Sequence, residues 1–276
     1  MTQASNAGGT VGRLTVNADP MISVTIGPDH VATIEIHRPP NNFFSLEMIT
    51  ELADTLEGLD ADSSCRSAVL CSEGRHFSAG ADFSAGDGNF TTEELYAAAV
   101  RVFRTDTPVV AAIQGAAVGG GLGLALSADF RIAAPEARFS ANFARLGFHQ
   151  GFGLSVTLPR LVGEQAAAEL LYTGRRVKGK EAVALGLADR VAPIDEIRER
   201  AHDLAAEIAL SAPLAIRSIR RTLRGDLADR VEAATVHELT EQQRLQATAD
   251  FAEGIAAMAE RRSPRFTGDP DPKASA

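Results

Sequence analysis

Two glycine-rich turns hold the chemistry most legible in this chain: Gly119-Gly120-Gly121-Leu122-Gly123-Leu124, and Ser78-Ala79-Gly80-Ala81-Asp82. A Gly triplet between a parallel strand and a helix lets the main chain approach a ligand closely. It also aims free amide N–H groups, reinforced by the helix dipole, at negative charge. If both turns sit at the carboxyl ends of neighbouring strands, one N–H from each converges on a single carbonyl oxygen. That is an oxyanion hole, in which each donor is worth about 3–4 kcal/mol. Taken alone, either turn is better explained as a tight turn whose glycines relieve steric crowding.

Other reactive patterns fail on spacing. No register of the 119–124 segment places Gly at the first, third and sixth positions of a dinucleotide fingerprint. The segment 174–180 (GRRVKGK) has the Gly-Lys of a phosphate loop, but Glu181 stands where Ser or Thr must hold magnesium, and a helix precedes it. There is no Gly-x-Ser-x-Gly elbow, and the six histidines form no metal pair at helical spacing. Cys65 and Cys71 are too few for a disulfide framework or a structural zinc, which fits a reducing compartment.

The elements that must position the two turns alternate. The segments 21–27 and 30–37 read as a hairpin about Pro28-Asp29, and Ser45 caps an amphipathic helix carrying Leu46, Ile49, Leu52, Ala53, Leu56 and Leu59. Then come a strand at 67–71, a Gly-rich loop at 74–88, a helix at 92–104 and a strand at 109–115. Strands at 129–133 and 137–141 follow. Beyond them, helical patterns hold 164–174, 178–186 and most of 194–262, with the last helix running from about Leu227 to Arg262. The chain is α/β first and all-helical last. Its expected divisions are a disordered tail over 1–19, an α/β core over 20–200 and a helical oligomerisation region over 201–268.

A formal net charge of −9 repels phosphate backbones and anionic lipid, which argues against nucleic-acid or membrane partners. The first nineteen residues lack the basic start and apolar run of a signal peptide, so a cytoplasmic protein is expected. The uncharged stretch 108–126 is long enough to span a bilayer as a helix, but its five glycines argue for a buried strand and turn. Arg217, Arg220, Arg221 and Arg224 recur at helical spacing, as a solvated face or a surface for a phosphate or an acidic neighbour.

Taken together, FSAGADF (77–83), IQGAAVGGGLGLALSADFRIAAPEARFS (113–140) and EGIAAMAERRSPRFTGD (253–269) resemble the crotonase superfamily, the enoyl-CoA hydratase/isomerase family, over about 21–269. The resemblance implies an α/β spiral of strand-strand-helix units, with C-terminal helices joining a homotrimer or a dimer of trimers. It implies an acyl-CoA thioester as substrate, with no metal and no cofactor beyond the coenzyme A moiety. By motif match, the N–H groups of Ala81 and Gly120 would hold the thioester oxygen. Asn42, Phe43 and Phe44, with Ala79, Gly80, Ala81, Asp82 and Phe83, would border the coenzyme. Phe43 is larger than the residue usual there, and Phe266, after Arg265, would reach a neighbour's nucleotide.

Departures from the family concern the reaction. The two glutamates of its hydratases fall at Gly123 and Phe143, and aspartates used by relatives fall at Gly151 and Gln150. All four positions are non-acidic, so two-glutamate hydration is not simply inherited, since positioned acid–base groups contribute typically about 10²–10⁴-fold. His149 is the best local substitute, because an imidazole exchanges protons near neutral pH; a structural histidine is the other reading. Gln150 would orient a water or the substrate, and Asp82 or Asp87 would approach from the other turn. The activities left open are enolate-stabilising isomerisation, hydration or elimination, hydrolysis or carbon–carbon cleavage of a β-oxo thioester, and acyl-CoA binding without turnover.

Overall fold

The computed structural model describes residues 20–81 and 91–269. The expected N-terminal tail, and the candidate residues Asp82, Phe83 and Asp87, lie outside the described residues.

Strands β1 (Ile22–Ile26) and β2 (Val31–Ile36) form the hairpin read from the sequence, pairing antiparallel with Ile22 opposite Ile36 and Ile26 opposite Ala32. Helix α1 (Leu46–Ala61) starts at Ser45, whose side chain accepts from the Met48 N–H. Strand β3 (Ser67–Ser72) is buried throughout, as befits a strand covered on both faces. Helix α2 (Thr92–Arg104) opens with a capping box between Thr91 and Glu94. Strand β4 (Val109–Ile113) runs straight into β5 (Ala116–Val118) and α3 (Gly120–Ser127), so the long uncharged stretch is two strands and a short helix. Among the described residues no helix is long and apolar enough to cross a membrane.

The next turn of the spiral repeats this plan: β6 (Phe130–Ala133), β7 (Arg138–Ser140), a 3-10 turn over Asn142–Leu146, then α4 (Leu154–Val162) and α5 (Glu164–Thr173). Short strands β8 (Val177–Lys178) and β9 (Arg190–Val191) flank α6 (Gly179–Leu185). The remainder is helical: α7 (Ile197–Ala209), α8 (Pro213–Arg224), α9 (Leu227–Gln246) and α10 (Ala249–Ala259).

From β4 onward the chain feeds two sheets in turn, β4 and β5, then β6 and β7, then β9 and β8. The larger has the order β1-β2-β3-β4-β6-β9, parallel beyond the hairpin, and the smaller β5-β7-β8. Alternation along the strands divides the core. Ala68 and Leu70 of β3, with Val109, Ala111 and Ile113 of β4, join the cluster shared with α1 and α2. Val69, Cys71, Val110 and Ala112 face α7 on the other side. Burial pushes the thiols of Cys65 and Cys71 up to about 11, so both are inert core groups rather than nucleophiles.

Two expectations need correction, and one helix escapes the sequence reading. The last helix is not continuous from Leu227 to Arg262: Thr248 accepts from the Phe251 N–H and starts α10. The apolar period runs through this point, but a local N-cap competes with helix continuation. Helix α4 has no sequence signal because Pro159 lies inside it; its start is fixed instead by the buried Glu238 carboxylate, which accepts from the N–H groups of Gly153 (2.9 Å) and Ser155 (3.0 Å). The arginines of α8 are not a uniformly solvated stripe, because Arg220 and Arg224 are withdrawn from solvent while Arg221 stays exposed. Arg220 and Arg224 pair with Asp129 at 2.9 Å each, Arg221 pairs with Asp106, and Arg217 donates to the Asp60 carbonyl.

Candidate active site

Three stretches of chain are stapled together around the two glycine turns. Ser78 lies beside Ala117 in an isolated parallel bridge, its N–H donating to Ala116 O (2.9 Å) and its carbonyl accepting from Val118 N–H (3.1 Å). The third stretch joins through Phe44 N–H to Gly80 O (3.1 Å) and Ala79 N–H to Asn41 O (2.9 Å). Asn42, fully buried, ties this stretch to β3: its amide donates to the carbonyls of Glu73 and His76, and its Oδ1 accepts from Arg38 N–H. Asn42 therefore acts on the site by holding its frame.

The glycines are required by close approach. Gly80 has φ +84°, and a Cβ on it would lie 2.8 Å from Val118 O and 3.4 Å from Gly120 N. A Cβ on Gly121 would lie 2.3 Å from Ser78 O, inside contact distance. The 78–81 turn thus lies directly against the triplet. Ala81 and Gly120 line the same cavity, and among the described residues nothing accepts from either N–H. Gly120 opens α3, so its N–H is one of the helix's terminal donors.

The cavity measures about 1170 Å³. Of the residues singled out in the sequence, Phe43, Phe44, Ala79, Gly80, Ala81 and Gly120 line it. Phe266 is exposed beyond α10 and lies outside the wall. His149 and Gln150 are also outside it. The His149 Nδ1 bonds the Gln150 carbonyl at 2.8 Å, its ring meets His237 edge-on, and the Gln150 amide donates to Ser155 Oγ.

Aromatic groups fill the places where related enzymes carry acids. A Cβ on Gly123 would lie 2.7 Å from Phe152 Cβ, and Phe152 packs against Phe44 with ring centroids 5.6 Å apart. Phe143 packs on Phe148 at 5.5 Å. Gly151 faces the Tyr96 hydroxyl, which would lie 1.8 Å from a Cβ there. No aspartate or glutamate stands among the described residues of this wall.

Several polar residues of the site escape the sequence reading. Tyr96 donates to Gln242 Oε1 at 2.8 Å, and the Gln242 amide donates to the His149 carbonyl at 2.9 Å. Burial, followed by the neighbouring Glu238 charge, pushes the Tyr96 hydroxyl well above its ordinary range, so it stays a neutral donor. Tyr96 is hidden in the apolar face of α2. Glu238 and Gln242 left a faint trace: they continue the buried series Val231, Thr235 on α9, where apolar residues are expected. Asn142 and Arg176 also line the cavity and belong to no recognised motif.

Two abutting turns with unanswered N–H groups on an aromatic cavity make this the candidate ligand-binding site of the fold. Comparisons with known proteins give the family. A model of the enoyl-CoA hydratase/isomerase family matches residues 27–269. A Thermus thermophilus protein with the name "Putative enoyl-CoA hydratase" is 38% identical over 257 residues, covering 88% of this chain and all of the relative (100%). Carnitinyl-CoA dehydratase of Proteus mirabilis is 32% identical over 248 residues, 86% of this chain and 95% of the relative. The crystal structure of an enoyl-CoA hydratase/isomerase from Pseudoalteromonas atlantica superposes with a TM-score of 0.82 at 30% identity, over 90% of this chain and 100% of that one. The chain belongs to the enoyl-CoA hydratase/isomerase family and has the crotonase fold.

Proposed function

We propose that this protein is an acyl-CoA-processing enzyme that holds the thioester oxygen between the N–H groups of Ala81 and Gly120 and stabilises the enolate that forms during isomerisation, hydration or elimination. The observation that carries this reading is the contact of the two glycine turns on one cavity wall, with both N–H groups unanswered among the described residues. Fixed donors in an apolar site act where charge develops, without reorganisation during the reaction. Phe43, Phe44, Ala79 and Gly80 border the coenzyme, Asp82 and Phe83 are assigned to it by motif match alone, and Asn42 keeps the described segments in register. Coenzyme A is the only cofactor in this reading, and Phe266 reaches the nucleotide of a neighbouring copy in a trimeric assembly. His149 and Gln150 stand outside the cavity wall, with His149 Nδ1 engaged by the Gln150 carbonyl and the Gln150 amide by Ser155 Oγ, so this reading gives them no part in proton transfer.

One observation favours a second reaction on the same hole. The described wall offers no carboxylate to remove an α-proton, whereas addition of water to the carbonyl of a β-oxo thioester breaks the neighbouring carbon–carbon bond without that step. The distal chain leaves as a carboxylic acid and the thioester as an enolate that then takes up a proton. A β-oxo acyl-CoA is then the substrate.

Saturated, enoyl, hydroxyacyl and oxoacyl thioesters, offered in turn with products identified by mass, separate the readings. Interconversion of enoyl and hydroxyacyl or isomeric thioesters supports the first. A shortened thioester supports the second, and free coenzyme A supports hydrolysis of the thioester itself on the same hole. Tight binding with no turnover makes the chain an acyl-CoA-binding subunit, and no binding of any thioester removes the proposal altogether.

A further inference from the structure

Beyond the reaction itself, the structure bears on the acyl group. A second hollow of about 780 Å³ adjoins the first, and Val118, Asn142, Leu146, Arg176 and Met258 line both. Arg145, Arg175, Arg176, Arg261 and Arg262 all line the second hollow, and no carboxylate stands among its described lining residues. In a chain of net charge −9 this is a local reversal of sign.

Three of these arginines are engaged. Arg145 donates to the Thr173 carbonyl, Arg175 pairs with Glu169 and Glu181, and Arg262 pairs with Glu253 and Glu260. Arg176 and Arg261 have no side-chain partner among the described residues. A guanidinium left unanswered beside an apolar cavity is suited to an anionic group of a ligand, which it binds in a two-pronged fashion.

Geometry sets these arginines on one side of the thioester position. Gly119, next to Gly120, would bring a Cβ to 3.4 Å from Asn142 Oδ1, and Gly174 would bring one to 3.1 Å from the Asn142 Cα. Contacts therefore lead from the glycine triplet through Asn142 to the link before β8 that carries Arg176. In the other direction the wall leads through Phe43 and Phe44 to Arg38, whose Nη1 is engaged by Ser45 Oγ. The acyl-CoA reading above sets the coenzyme along Phe43 and Phe44, which leaves the Arg176 side for the acyl chain. Of the five residues common to both hollows, Val118, Leu146 and Met258 are apolar and accept methylenes, with Asn142 and Arg176 as the polar members.

We infer that the preferred substrate is a dicarboxylic acyl thioester, whose free carboxylate is held by Arg176 and Arg261 at the end of an apolar passage. This rests on the acyl-CoA reading above and names the substrate class of the same site.

Calorimetric affinities of hexanoyl-CoA, adipoyl-CoA, suberoyl-CoA and free coenzyme A, for the natural protein and for Arg176→Met and Arg261→Met, test it. Circular dichroism and a thermal melt confirm folding of each variant. A charge-assisted pair predicts about a 10–100-fold preference for adipoyl- or suberoyl-CoA over hexanoyl-CoA, weakened by salt. In Arg176→Met that ratio falls to within about threefold, and in Arg261→Met it falls part of the way. Equal affinities in the natural protein, or a ratio unchanged in Arg176→Met, overturn the inference while hexanoyl-CoA binding leaves the acyl-CoA reading standing. Equal weakening of free coenzyme A in Arg176→Met also overturns it, by assigning the arginine to the coenzyme phosphates. Failure of every thioester to bind removes the acyl-CoA reading and this inference together.

Discussion

Two groups of arginines in this chain look alike in sequence and differ in what answers them. Those of α8 close against Asp129, Asp106 and backbone carbonyls, and Arg220 is only 8% exposed. Arg176 and Arg261, beside the paired cavities, have no side-chain partner among the described residues. The same contrast separates the Tyr96–Gln242 pair, satisfied within the fold, from the open N–H groups of Ala81 and Gly120. Satisfied polar groups hold the frame, and unanswered ones beside a cavity are where a ligand completes the structure.

The contrast breaks most sharply at Asp129. Burial opposes its charge, but Arg220 and Arg224 outweigh burial and hold its carboxyl below the usual range. Asp129→Asn leaves two guanidiniums facing a neutral amide, and chemical denaturation should show a loss of about 3–5 kcal/mol. Because the folded-state pKa is depressed, this stabilisation is full above the unfolded carboxylate value near ~4 and fades as pH falls through the folded value. The acid limb of the stability profile should therefore flatten in Asp129→Asn.

A smaller effect is expected at Tyr96. Removing its hydroxyl in Tyr96→Phe strands the buried Gln242 Oε1, and the denaturation midpoint should report a loss of about 1–3 kcal/mol. Arg221→Ala removes an exposed pair with Asp106, and a melt should register less than about 1 kcal/mol. Arg176→Met, on the unanswered side of the comparison, should leave stability within about 0.5 kcal/mol, so a larger loss would show that it belongs with the structural arginines after all. Least of all, His149→Ala should alter the steady-state rate on any accepted thioester by no more than about twofold, less than the tenfold that 1.4 kcal/mol would give. A hundredfold drop would return that ring to the reaction.

Much of the frame was legible before any coordinates. The period-two hairpin, the helix behind Ser45, the helix over 92–104 and the glycine triplet all rest on local chemistry, and each stands where its residues place it. What stayed hidden depends on distant partners. Helix α4 starts because Glu238, far along the chain, caps it, and the break before α10 depends on a threonine within an unbroken apolar pattern. Local periodicity carries neither. In the candidate site, the turns were visible because close backbone approach demands glycine. Tyr96, Gln242 and Arg176 were not, since their roles come from what the fold sets beside them.

Both proposals need the substrate oxygen to lie between two particular nitrogens, and a crystal structure with a bound, unreactive acyl-CoA analogue tests this most directly. The thioester oxygen should lie about 2.7–3.1 Å from both Ala81 N and Gly120 N. An oxygen bound elsewhere in the cavity, or touching only one of the two, would contradict the account.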